Sequence, residues 1–108
     1  MSALTTHVLD TALGRPAAGV AVRLQRAADG RLVAAGVTDA DGRIRELGPA
    51  QLENTPHTLT FDVAAYAAAT GQRYFLAAVD ITFTPTGDGH LHVPLLLSPF
   101  ACSAYRGS

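Results

Sequence analysis

Large apolar and polar residues alternate along this chain in short runs. In Val20-Ala21-Val22-Arg23-Leu24-Gln25 the large apolar residues fall at even positions, with Arg23 and Gln25 on the other side. Val79, Ile81 and Phe83 alternate with Asp80 and Thr82 in the same way. A period of two is that of a strand with one buried face. Turn-forming clusters separate the runs: "ALGRPAAG" at 12–19, "ADG" at 28–30, "DADG" at 39–42 and "TPTGDG" at 84–89. Short strands punctuated by Gly, Pro and Asp predict an all-β domain. "ADG" between extended runs at 20–27 and 31–37 predicts a hairpin with a short loop. One segment departs from the pattern. "DVAAYAAATG" at 62–71 is Ala-rich and ends on Gly71, which predicts a strand at 57–61 and then a short helix near 64–70. Residues 1–108 are therefore expected to form a single β-sandwich domain. It should hold about seven or eight short strands and one short α-helix.

The same alternation places polar residues where solvent alone does not explain them. In His90-Leu91-His92-Val93-Pro94-Leu95-Leu96-Leu97 the aliphatics at 91, 93, 95 and 97 share one face, which must be core. His90, His92, Pro94 and Leu96 share the other. An outward side that also holds Pro94 and Leu96 predicts a surface covered by another subunit, with His92 set into it. Inward Val8 leaves Thr5, His7 and Leu9 outward, and inward Ile44 leaves Arg43 and Arg45 outward. Blander readings stand beside these. His90 and His92 at i, i+2 share a face fit for a metal, but no third ligand is near in sequence, so no metal is expected. His57 reads as a structural residue at a strand entry, Asp39 and Asp41 as turn formers, and Arg43 by default as a solvated turn residue. A serine hydrolase is excluded for want of a Gly-x-Ser-x-Gly elbow.

Composition narrows the classes further. With 48% apolar and 16% charged residues in 108, the chain is folded and long enough for one core. Four Phe, three Tyr and no Trp leave that core to Val, Leu, Ile and Ala, so subunit association would strengthen it. The net charge is −1 and no region collects one sign, which argues against nucleic acid or a membrane as partner. All eight basic residues are Arg, so the choice of Arg over Lys at any one position says little. Cys102 stands alone, which excludes an internal disulfide and suggests a packed thiol in a reducing compartment. The start lacks a basic segment followed by an apolar run, and no apolar run is long enough to span a bilayer. A cytoplasmic protein is expected.

Three stretches together resemble a known family. "LTTHVLDTALGRPAAGVAVRL", "TDADGRI" and "HLHVPLLLSPFACSAYRGS" are similar to the 5-hydroxyisourate hydrolases, transthyretin-related enzymes of urate catabolism. The likeness runs from residue 4 to 108, and the terminal Tyr-Arg-Gly-Ser is its most specific part. It implies a transthyretin-like β-sandwich and hydrolysis of 5-hydroxyisourate to 2-oxo-4-hydroxy-4-carboxy-5-ureidoimidazoline. The family's motifs place catalytic roles at His7, Arg43, His92 and Ser108, with His7, Arg43 and Tyr105 binding substrate. In that scheme the histidines bind and deprotonate a water, either one serving as the base. Arg43 anchors substrate oxygens, and Ser108 with its carboxylate helps to position the site. No metal or organic cofactor is implied. The family's members are homotetramers, dimers of dimers with sites at the dimer–dimer interface. Leu91, Ala101, Cys102 and Ala104 depart from the common pattern but remove no matched position. The rival readings are a transthyretin-like carrier of small ligands and a non-catalytic β-sandwich interaction domain. A carrier needs neither the histidine pair nor a fixed Tyr-Arg-Gly-Ser end.

Overall fold

A strand of strict alternation, Leu4–Asp10 (β1), organises one of two packed sheets in the computed structural model, which describes residues 2–85 and 89–107. Along one edge β1 pairs antiparallel with Arg15–Pro16 (β2) and with Arg43–Leu47 (β5). Along the other it pairs in parallel with Leu91–Leu97 (β8), whose far edge carries Cys102–Ala104 (β9). The second sheet is built from Ala21–Arg26 (β3), Leu32–Val37 (β4), His57–Asp62 (β6) and Ala78–Phe83 (β7). Their order is β4-β3-β6-β7, all antiparallel. The expected hairpin is the β3–β4 pair.

The inward residues of both sheets meet in one core. Leu4, Val8, Leu24, Leu59, Phe61, Leu95 and Leu97 are fully buried there. Each large apolar side chain so buried contributes about 1.5–3 kcal/mol against the cost of ordering it. The helix, Val63–Ala69 (α1), starts one residue before the predicted span. Asp62 caps it by accepting from the Ala65 amide at 3.2 Å, and Gly71 beyond its end takes φ +68°. Among the described residues no helix is long and apolar enough to cross a membrane.

Nine strands stand among the described residues, more than the alternation predicts. The additions are the two-residue β2, inside a stretch that reads as a turn, and β9 in the tail. Strands that short carry no period to detect. The "TPTGDG" turn falls partly outside the described residues.

Strand parity also buries polar groups. Thr6 and Asp10 lie on the core side of β1 with Leu4 and Val8. Thr6 donates to the Val93 carbonyl at 2.7 Å. Asp10 accepts from the Tyr66 hydroxyl at 2.6 Å, Gln72 Nε2 at 3.0 Å and the amides of Ala12 and Leu13 at 2.9 Å each. Burial alone would raise its pKa, but these four donors outweigh burial and hold the carboxyl below its usual range. Burial, reinforced by Asp10, pushes the Tyr66 phenol upward. His57 is structural, as expected: its Nδ1 donates to the Thr55 carbonyl at 2.6 Å and its ring stacks on Phe83.

Candidate active site

The strand register gathers polar residues on the outer face of the β1 sheet. His7 on β1 stands opposite Arg43 on β5, and Thr5 lies beside His92 on β8. These are the half-buried positions of strands whose alternate residues are core. The turn before β5 fixes the first pair. Asp39 accepts from the amides of Asp41 and Arg43 at 2.9 Å each, and the Arg43 amide is the chief reason its pKa is lowered. Gly42 then takes φ +75°, and a Cβ there would meet the Val8 carbonyl oxygen at 2.4 Å. Only glycine fits. The approach lets Val8 donate to the Gly42 carbonyl at 2.7 Å and brings the Asp41 carbonyl 2.9 Å from His7 Nε2. A carbonyl can only accept, so Nε2 of His7 carries hydrogen and its Nδ1 keeps the lone pair in the neutral ring.

His92 is held from two sides. Thr5 Oγ1 lies 2.8 Å from its Nδ1, and the tail packs against its ring. Gly107 donates to the His92 carbonyl at 2.7 Å, so close that a Cβ on it would fall 2.6 Å from His92 Cδ2. Burial first, then the charges of Arg43, His7 and His90, keep the His92 pKa below its ordinary 6.5. The ring is therefore neutral near pH 7 and able to accept a proton. A cleft of about 370 Å³ opens here, lined by Thr5, Arg43, Arg45, His90 and His92 among others. Arg45 pairs with Asp41 at 3.5 Å and Asp39 at 3.9 Å, whereas Arg43 forms no ion pair among the described residues. The cleft thus offers basic nitrogens beside an uncommitted guanidinium, a setting suited to an oxygen-rich, electron-withdrawing ligand.

Three of the expected site residues, His7, Arg43 and His92, come together. Tyr105 does not line this cleft. It is 56% exposed and borders an apolar cavity of about 220 Å³ with Ile81, Phe83, Leu91 and Val93. β9 ends at Ala104, and Tyr105 and Arg106 leave the strand alternation before Gly107 rejoins His92. Ser108 lies outside the described residues. Pro94, expected to need cover from another subunit, is buried within the single chain, where a Cβ on Gly107 would sit 3.3 Å from its Cγ. Cys102, expected to be packed, is exposed because β9 is an edge strand with all three residues open. Thr5 is the contact that alternation alone does not reveal. Its parity with His7 is legible, but its place beside His92 depends on the parallel β1–β8 pairing.

Fold and cleft together define a transthyretin-like β-sandwich with a histidine- and arginine-lined site on one sheet face. Residues 4–107 match the HIUase/Transthyretin family, and the chain belongs to it. It is 45% identical to the 5-hydroxyisourate hydrolase of Caulobacter vibrioides, the alignment covering 100% of both chains. The solved structure of Klebsiella pneumoniae 5-hydroxyisourate hydrolase superposes with a TM-score of 0.90 at 38% identity, over 99% of this chain and 100% of that one. Sea bream transthyretin in complex with thyroxine superposes with a TM-score of 0.88 at 33% identity, over 97% and 94% of the two chains.

Proposed function

We propose that this protein is a hydrolase that opens the six-membered ring of 5-hydroxyisourate by cleaving a cyclic amide C–N bond, giving 2-oxo-4-hydroxy-4-carboxy-5-ureidoimidazoline. The observation that carries this reading is the cleft lined by Arg43 and His92, with His7 on the neighbouring strand paired opposite Arg43. A water held by the histidines loses a proton to one of them as its oxygen bonds to the ring carbonyl carbon. Arg43 stabilises the negative charge that grows on the carbonyl oxygen. The C–N bond then breaks, and the proton passes from the imidazolium to the leaving nitrogen. Hydrolysis moves no electrons between partners, so the cleft's own side chains supply what the step requires.

Tyr105 and Ser108 complete the substrate wall in this reading, when the chain assembles as a homotetramer, a dimer of dimers, with its clefts at the dimer–dimer interface. The half-buried Leu96 on the outer face and the exposed β9 support such assembly. The enzyme acts in the cytoplasm, in keeping with its lone thiol. Purified protein should accelerate the loss of freshly prepared 5-hydroxyisourate, followed by ultraviolet absorbance, and a rate equal to spontaneous decay would overturn the reading. The likeness to transthyretin favours a ligand carrier as second reading. A carrier would show saturable binding without turnover in the same experiment.

A further inference from the structure

The Thr5 hydroxyl stands between two imidazoles, 2.8 Å from Nε2 of His90 and 2.8 Å from Nδ1 of His92. A hydroxyl has one hydrogen to donate. Its oxygen can accept twice, so with both contacts hydrogen-bonded at least one ring must donate to Oγ1 and at most one can accept from it. The proton placements of the two histidines are thereby tied together. Because Nδ1 of His92 is engaged, Nε2 is the nitrogen left to meet a water or a substrate. To take a proton, Nε2 must carry a lone pair, which in the neutral ring puts the hydrogen on Nδ1. Nδ1–H then donates to Thr5, which leaves the hydroxyl hydrogen free to go to Nε2 of His90 when that nitrogen carries its lone pair.

We propose that Thr5 is a positioning residue that, with His90 as its acceptor, sets the tautomer of His92 so that Nε2 is the basic nitrogen. The inference rests on the hydrolase reading, which supplies the need for a basic Nε2, while the tautomer can be measured without turnover. The step balances without a further reagent. Nε2 gains the water's proton, Nδ1–H keeps its bond to Thr5 in the resulting cation, and Nε2 returns the proton to the leaving nitrogen. Thr5 and His90 end as they began. The choice of a hydroxyl fits the surroundings. The charged and titratable groups acting on His92 are Arg43 from β5, His7 from β1 and its neighbour His90. A carboxylate at Nδ1 would orient the ring but raise its pKa, whereas a neutral hydroxyl orients it and leaves it free of charge near pH 7.

Nuclear magnetic resonance of ¹⁵N-histidine-labelled protein at pH 8 reads the tautomer directly, with His92 assigned by its loss in His92→Asn. In the wild type, Nδ1 of His92 should give a protonated-type shift and Nε2 an unprotonated one. In Thr5→Val the ring should move toward the Nε2–H form, and Thr5→Ser should restore the wild-type pattern. Turnover should fall by about 10- to 100-fold in Thr5→Val, as when other groups that orient an active histidine are removed, with KM changed by less than about 2-fold. His90→Ala, at an exposed position that carries no folding risk, should shift the tautomer in the same direction by a smaller amount. An Nε2–H ring in the wild type overturns the proposal, as does an unchanged kcat in folded Thr5→Val. If the wild type fails to hydrolyse 5-hydroxyisourate, the functional reading falls and the nitrogen shifts still decide the tautomer.

Discussion

At one end of β1, Asp10 is 1% exposed and every contact is satisfied: two side chains and two amides converge on its carboxylate. Toward the other end, Thr5 and His7 are half-buried on the opposite face, beside a guanidinium that forms no ion pair among the described residues. Both regions are polar, one on the core face of the strand and the other on its outer face. The difference lies in what is left over. The Asp10 cluster uses its hydrogen-bonding capacity internally, so it ties α1 and the segment after it to the sheet and has nothing to offer a ligand. The His7–His92 cluster is held in place by Asp41, Thr5 and Gly107, yet keeps basic nitrogens and Arg43 in a cleft. A saturated polar group stabilises, and an oriented but unsaturated one acts.

Substitutions should separate the two regions. The largest effect on activity is expected from Arg43→Ala. Losing the charge that meets the growing oxyanion should cost about 100-fold or more in kcat/KM, and the thermal midpoint should hardly move. A matching loss of stability would mean that Arg43 is structural. At the other end Asp10→Ala should lower stability by about 3 kcal/mol in denaturant unfolding, because it strands the buried Tyr66 hydroxyl and removes the acceptor shared by the Ala12, Leu13 and Gln72 N–H groups. A cost under about 1 kcal/mol would show that the cluster is not a structural tie. Gly107→Ala should come next. The added Cβ, 2.6 Å from His92 Cδ2, must displace the ring, and a misaligned base should lose activity by about 10-fold with little change in melting.

The smallest effect concerns pH. His92, held below 6.5 first by burial, stays neutral in the folded chain where the unfolded chain already takes up a proton. Its contribution to stability is therefore present above pH 6.5 and lost as pH falls toward the folded pKa. The acid limb of kcat/KM for free enzyme should likewise lie below 6.5. A limb above that value would contradict a neutral, desolvated His92.

Much of this was legible in the chain itself. Alternation assigns the inner and outer faces of β1, β5 and β8 correctly, because a period of two is a local property. It sets His7, Arg43 and His92 outward, and the family resemblance marks them as a set. Parity also implies that Asp10 shares the core side with Val8, a signal easily passed over because aspartate reads as a turn former. What local pattern does not encode is pairing. The parallel register of β1 and β8 puts Thr5 between the histidines, and the return of the tail puts Gly107 rather than Tyr105 against His92. Both depend on contacts between residues more than 80 positions apart or beyond the end of a strand.

The most direct test of the contrast is kcat/KM for 5-hydroxyisourate in His92→Asn and Tyr66→Phe, each normalised to folded protein. His92→Asn should lose at least about 100-fold, the share a positioned acid–base group supplies. Tyr66→Phe should stay within about 2-fold of the wild type while losing about 1.5–3 kcal/mol of stability for a hydrogen bond to a buried carboxylate. A His92→Asn variant as active as the wild type, or a Tyr66→Phe variant as inactive as His92→Asn, would contradict the assignment of chemistry to one end of β1 and stability to the other.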